Sequence, residues 1–542
     1  MKEALMSVAV AALSYFFYTV YRARNVMYRL RAQGKPMPPY NWATGHLLVI
    51  KEFVDKLPTD AVFNYVAFNI SRTFTKHDMF YLDFWPFMTP ILVIKNPYVA
   101  GQIMGRADAR KPVTVRDAFV QMTGGDSLLT MAEQPWKQWR SIFAPGFSPA
   151  HMLDQVPVIV DQGKTFCGKL REAARNNTLF QLEEATIRLT IDVISLVALN
   201  VRLNYQLQDA QFPSTMRSLI ETVTFGQDLN PLQRWNPIRP FLVWKYGRTL
   251  NTYIRAELAK RFEERKSLIE SRGRATDKRT GKSIASLALD EYITNHMQTE
   301  TAKLDSDFER YASAQIRLFL VAGHDTTSSA LTYTLHLLYK HPEVLARVRA
   351  EHDSVFGTGA GAAADILSND PTLLNQLPIT SAAIKESLRL FPPAGGVREG
   401  SPDITLVAED GTQYPTDGCA IWVPHEAVHR NPAYWPRPDE FVPDRFLCEP
   451  EDPLYPTKGA WRAFEFGPHN CIGQTLALTE IKTLLVMVVR QFDLKEAYAE
   501  WDQSHPVAGL REANGERAYQ VSGGGGGQHP SCRYPCRISV RE

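Results

Sequence analysis

The chain of 542 residues is poor in cysteine, nearly balanced in charge and without an evident linker, and each shortage excludes a class of protein. Six cysteines (Cys167, Cys419, Cys448, Cys471, Cys532 and Cys536) are too sparse and irregular for a disulfide framework, and a reducing compartment suits them better. There is no CxxC pair, so the usual structural zinc knuckle is excluded. The 60 basic and 58 acidic residues leave a formal charge of +2, without the basic excess that marks a nucleic-acid binder. No Pro/Gly/Ser-rich linker divides the chain, which predicts one large folded unit over residues 35–542.

Acid is absent between residues 4 and 51, and that gap coincides with a long apolar run. Ala4 to Tyr21 carries no charge, and a helix of that length spans about 27 Å, near the thickness of a bilayer core. Arg22, Arg24, Arg29, Arg31 and Lys35 follow. The pattern predicts a transmembrane anchor with a basic stop over residues 1–34, the remainder being cytosolic by the positive-inside rule. Tyr-Arg-Ala-Arg after the run is a poor cleavage site, which argues against a removable signal. Pro36, Pro38 and Pro39 then make a stiff spacer.

Beyond the spacer, Ile187–Val201 and Phe308–Tyr339 place apolar residues at helical spacing. Short β-branched runs occur near Ile91–Ile94, Ile404–Val407 and Ala420–Val423. The expected fold class is mainly α with small β-sheets.

His425-Glu426-Ala427-Val428-His429 matches the HExxH pattern of zinc hydrolases. Two imidazoles at i and i+4 can share a metal only on a helix, and Pro424 and Asn431-Pro432 leave room for about two turns. No third ligand stands out downstream. Zinc hydrolysis is therefore a remote alternative.

Phe464-Glu-Phe-Gly467-Pro-His469-Asn-Cys471-Ile-Gly473 carries the stronger chemistry. A helix-forming run, Leu476–Val489, begins just after Cys471, so the sulfur sits at a helix N-terminus, where free N–H groups and the dipole favour a thiolate. Gly467 permits a tight turn, Gly473 permits a flat ring to approach the backbone, and Phe464 can shield ring and sulfur from water.

This block resembles the cysteine-loop signature of the cytochrome P450 family, with His469 where the family usually has arginine. Other stretches resemble its motifs in order. Trp136-x-x-x-Arg140 resembles its WxxxR, and Ala322-Gly323-His324-Asp325-Thr326-Thr327 its oxygen-activation motif. Glu386-x-x-Arg389 resembles its ExxR, and Phe441-x-Pro443-x-Arg445-Phe446 the segment that completes that ion pair. The resemblance implies haem b (iron protoporphyrin IX), with Cys471 as the axial iron ligand. Trp136, Arg140, Arg398 and His469 would hold its propionates, and Glu386, Arg389 and Arg445 would lock the core. Asp325 and Thr326 would relay protons for oxygen activation, with Gly323 opening a groove for oxygen.

The implied activity is insertion of one oxygen atom from O2 into a hydrophobic organic substrate, with electrons from an NADPH-dependent cytochrome P450 reductase. The implied location is the endoplasmic reticulum membrane, single-pass, with a cytosolic catalytic domain. The histidine variants resemble fungal members that tailor secondary metabolites. A haem-thiolate isomerase or dehydratase, or a non-oxygenating haem protein, is the alternative, and Asp325 and Thr326 argue against it. By the same resemblance, Val113–Thr130, Phe319, Ala322, Ala394–Val397 and the 522–527 turn would line the pocket. The small run Ala394-Gly395-Gly396 predicts room for a bulky ligand near the iron.

Overall fold

The computed structural model describes residues 2–106, 108–225, 236–272, 282–296, 304–523 and 526–541. It is mainly helical with small sheets, as the periodicities predict.

The centre of the molecule is a helix of 35 residues, Ser306–Lys340 (α4). Asp305 caps it by accepting from the Phe308 N–H, and nearly every residue from Ala312 to Leu338 is buried. Along most of this helix the polar residues cannot reach water, and its threonines bond back onto the helix. Thr326, Thr332 and Thr334 donate to the carbonyls four residues back at 2.8, 2.9 and 2.7 Å. Leu182–Leu199 (α3) packs along α4, and Pro378–Leu390 (α5) and Gln474–Val488 (α6) pack against it from other sides. Glu133–Phe143 (α2) lies earlier in the chain.

Four strands form the largest sheet, in the order β1 (Met79–Leu82), β2 (Ile91–Ile94), β7 (Ala420–Val423), β4 (Gly396–Glu399). Only the β2–β7 pair is parallel, with Leu92 opposite Ile421. A second sheet orders β3 (Phe180–Gln181), β11 (Pro535–Val540) and β8 (Phe492–Glu496). β5 (Thr405–Val407) pairs with β6 (Gln413–Pro415). Near the C-terminus β9 (Gln520–Ser522) pairs with β10 (Gln528–Pro530) in a hairpin that rests on α4.

The N-terminal helix departs from expectation. It runs unbroken from Lys2 to Ala32 (α1), within the bounds expected of the anchor, but its last turns pack on the protein. Arg24 is buried on the Asp83 carboxylate, and Val26, Met27 and Leu30 join the apolar cluster beside the large sheet. No helix among the described residues is long and apolar enough to cross a membrane, so the transmembrane assignment is withdrawn. Ser7, Ser14 and Thr19, with Tyr15, Tyr18 and Tyr21, dilute the apolar run before the charges begin at Arg22. All six cysteines are free, as their spacing implies.

Candidate active site

Cys471 lies three residues before the first residue of α6, in a loop closed by its own backbone. Its N–H donates to Phe464 O at 2.9 Å, and the Asn470 N–H donates to Gly467 O at 3.1 Å. Gly467 adopts φ +89°, and a Cβ there would lie 2.6 Å from Met104 O, so geometry and space both demand glycine. Gly473 differs: a Cβ would meet only the Cys471 sulfur, at 3.8 Å. Cys471 is accessible even though enclosing protein pushes its thiol pKa up. The Gly473 N–H, the Arg140 charge and the Gln474 N–H pull it back without outweighing burial. The Gly473 and Gln474 N–H groups and the Arg140 charge make the electropositive setting expected at the helix N-terminus.

α2 brings its two expected residues to this loop. Arg140 donates from Nη1 to Asn470 O and from Nη2 to Asn470 Oδ1, both at 2.9 Å. The Trp136 ring lies 4.2 Å from the His469 ring, centroid to centroid. Arg398 on β4 is buried against the same loop, where Glu465 attracts it and Arg462 repels it. Its Nε has no hydrogen-bond partner, and burial pulls its pKa down. Burial and the neighbouring Arg398 charge pull the Lys111 ammonium down to about 7. Burial pushes Glu465 up, but His425 and Arg462 outweigh it and hold the carboxyl at about 2.

A haem fits these residues. Two neighbouring cations that repel each other, a half-buried lysine and a buried arginine with an unsatisfied N–H, suit an anionic propionate. An accessible sulfur beside a glycine that no protein atom requires suits a flat ring over iron. Across α4, the residues are buried on either side of a short accessible stretch formed by Ala322, Gly323 and Thr326. Thr326 and Ala322 are one helical turn apart, and the Thr326 hydroxyl donates back to Ala322 O.

Two expectations fail here. Gly323 was expected to open a groove for oxygen, but a Cβ there would lie 2.9 Å from Ile194 Cγ1 on α3. Its missing side chain lets two helices cross. Gly396 was expected to leave room for a ligand, but a Cβ there would meet Glu465 Oε2 at 2.4 Å and Met104 Cε at 2.5 Å. That space belongs to the Glu465 carboxylate.

Asp325 does not share the Thr326 face. Its carboxylate is buried against His529, whose Nε2 lies 3.0 Å from Oδ1. Burial raises its pKa, but the His529 charge and hydrogen bond outweigh that and leave it below the usual range. His529 also reaches Glu183 Oε1 on α3 at 2.6 Å. Sequence reasoning missed His529, Glu183, Lys111, Arg462 and Glu465, since each acquires its partner from a distant segment and no local spacing announces it.

The expected buried ion cluster is assembled. Arg389 donates from Nε to Glu386 Oε2 at 2.7 Å and from Nη2 to Oε1 at 2.8 Å. Arg445 donates from Nε to Glu386 Oε1 at 3.2 Å, and all three side chains are fully buried. Arg389 also holds the carbonyls of His429, Pro438 and Glu440.

His429 belongs to this scaffold. It bonds through Nδ1 to Arg389 O at 3.1 Å, and its Nε2 accepts the Arg462 N–H at 2.9 Å. Both ring nitrogens are committed, Glu426 is bonded to Asn64, and His425 to Glu465. Among the described residues no group of three or more His, Cys, Asp or Glu could hold a metal ion. The zinc alternative falls because its helix, His425–His429, is five residues long and wired into the ion cluster.

A mainly helical fold, a cysteine at a helix N-terminus and a cationic wall suited to propionates define the haem-thiolate class. The chain belongs to the cytochrome P450 family, whose model matches residues 36–515. It is similar to cytochrome P450 monooxygenase polC of Polytolypa hystricis, at 36% identity over 99% of this chain and 95% of that protein. Cytochrome P450 monooxygenase acrF of Aspergillus aculeatus is 35% identical over 83% of this chain and 92% of its own length. The crystal structure of the cytochrome P450DA heme domain shares the fold, with TM-score 0.71 at 20% identity, covering 94% of this chain and 98% of that one. The chain is thus an oxidoreductase of the P450 monooxygenase family, with haem as its cofactor. Family membership also implies a redox partner and a hydrophobic substrate.

Proposed function

We propose that Cys471 is the axial thiolate ligand of the haem, and that the enzyme inserts one oxygen atom from O2 into a hydrophobic secondary-metabolite precursor. The observation that carries this reading is the accessible Cys471 sulfur beside Gly473, at the end of a helix packed on α4. The haem, when bound, supplies activation of dioxygen and transfer of one oxygen atom. Arg398 and Arg140, with Trp136 and His469 on the cysteine side, would hold the propionates. Phe464, Gly467 and Gly473 shape the loop and screen the sulfur, while Glu386, Arg389 and Arg445 keep the surrounding core rigid. Thr326 presents a hydroxyl on the accessible face of α4, and Asp325, next in the chain, is the nearby acid for proton supply.

Electrons would come from an NADPH-cytochrome P450 reductase. We place the enzyme on the cytosolic face of the endoplasmic reticulum membrane. In support, Met6, Val8, Val10, Leu13, Phe16 and Phe17 of α1 are exposed, and exposed Arg22, Arg29 and Arg31 follow them. Deleting residues 2–21 should then release the enzyme from microsomes, and retention would refute the placement.

The reading is tested by the carbon-monoxide difference spectrum of the reduced protein. A red-shifted Soret band is expected, and Cys471→Ser should lose it while retaining its helical circular dichroism. A Cys471→Ser protein that kept the band would overturn the ligand assignment.

A further inference from the structure

The glycine-rich stretch 523–527, of which residues 524–525 lie outside the described ones, has a structural reason in its flanks. A Cβ on Gly523 would lie 2.1 Å from the His529 ring, and one on Gly527 would lie 2.2 Å from Asp325 Oδ2. The Gly523 N–H donates to Gly527 O at 3.1 Å. The two glycines thus let the hairpin press His529 and its own backbone onto the Asp325 carboxylate. Ser329 pins the same place to α4 by donating to Gln528 O at 2.5 Å.

His529 is buried and spans two carboxylates, Glu183 Oε1 at 2.6 Å on Nδ1 and Asp325 Oδ1 at 3.0 Å on Nε2. Both ring nitrogens can donate to these acceptors only in the imidazolium form. The other groups facing it are few. α4 contributes His324, whose pKa burial lowers and whose Nδ1 bonds to Leu320 O at 2.7 Å. Beyond β10, Arg533 acts on Glu183, and the Gly527 N–H bonds to Asp325. The two carboxylates together hold the imidazole protonated against the cost of burial. Burial raises the Glu183 pKa against the pull of His529 and Arg533, whereas Asp325 is held below the usual range, and its carboxylate is bound toward the hairpin and away from the Thr326 face.

We propose that His529 is a positioning residue for oxygen activation: bridging Glu183 and Asp325, it fixes the direction and proton count of the Asp325 carboxylate, so that the C-terminal hairpin governs when Asp325 serves Thr326. The inference rests on the reading of Asp325 and Thr326 as the proton supply. When Asp325 turns from His529, the imidazolium keeps its bond to Glu183 and no covalent bond changes.

His529→Gln tests this, because it keeps an amide donor but cannot carry a charge. The reconstituted variant should retain the carbon-monoxide band and substrate-induced spectral shift. It should release several-fold more peroxide per NADPH and lose the wild-type pH dependence of coupling. Glu183→Gln should do the same more weakly, and it stands in if His529→Gln does not fold. Independently of turnover, selectively 15N-labelled histidine should show the His529 ring doubly protonated through the neutral range, and neutral in Glu183→Gln/Asp325→Asn. Unchanged coupling and pH profile in both single variants, or a neutral ring in the wild type, would overturn the proposal. Thr326→Ala separates the two readings. If it stays coupled, the underlying relay fails, and if it uncouples while His529→Gln does not, only the positioning role fails.

Discussion

Lys111 and Arg398 lie close enough within the folded chain for the arginine charge to oppose the lysine charge, with Glu465 as the shared acid. Two cations placed so, in a wall beside the cysteine loop, mark where an anion belongs.

Lys111 stands at about 7, against about 10.4 for an unfolded lysine, so between those values the unfolded chain binds more protons. The penalty is full below about pH 7 and is relieved as pH rises from there. The melting temperature of the haem-free protein should gain on that of Lys111→Met as pH climbs through this window. A pH-independent gap between the two melts would contradict the assignment. Loaded with haem, Lys111→Met should lose the cofactor faster in a transfer assay to apomyoglobin.

The buried ion cluster should be unforgiving. Arg389→Met leaves Glu386 with only Arg445 and the Val442 N–H, and strands the carbonyls of His429, Pro438 and Glu440. Breaking such a pair costs about 3–5 kcal/mol. Denaturant unfolding should register that loss, together with poor haem retention. Near wild-type stability would mean that the cluster relaxes instead of stranding its partners.

Gly323→Ala should be destabilising by about 1–3 kcal/mol, because its methyl would enter the space of Ile194. Ile194→Ala should recover part of that cost in the double variant, although Ile194→Ala alone opens a cavity. Strict additivity of the two changes would show that the residues do not compete for space.

Thr326→Ala should consume NADPH at a rate near that of the wild type while diverting electrons to peroxide. Only the hydroxyl on the accessible face of α4 is removed, and its bond to Ala322 O is lost with little packing change. Peroxide per NADPH measures this, and a fully coupled variant would remove Thr326 from the proton supply.

Metal analysis should find iron and no zinc in the purified enzyme, and a chelator that strips zinc should leave the spectrum unchanged. Stoichiometric zinc lost together with activity would revive the HExxH reading.

Much of the site was legible because its signals are local. A turn glycine, a cysteine and the helix following it are neighbours in sequence, so Gly467, Cys471 and Gly473 could be read together. Trp136 with Arg140, and Glu386 with Arg389, are one helical turn apart, and their shared face follows from helix geometry. The mainly helical class with small sheets followed from periodicity in the same way.

What stayed hidden depends on contacts between distant segments. His529 and Glu183 are 346 residues apart, and only the docking of the hairpin against α3 and α4 joins them. Asp325 and Thr326 are adjacent in sequence, yet helix rotation turns one into the hairpin and leaves the other on the accessible face. Gly323 and Gly396 looked like open space because sequence cannot show that Ile194 and Glu465 fill it. The C-terminal turns of α1 belong to the folded unit because Arg24 finds Asp83, 59 residues away. Residue types and local spacing determined the family and the cysteine loop; packing decided which charges meet, which glycines are spaces and which are crossings.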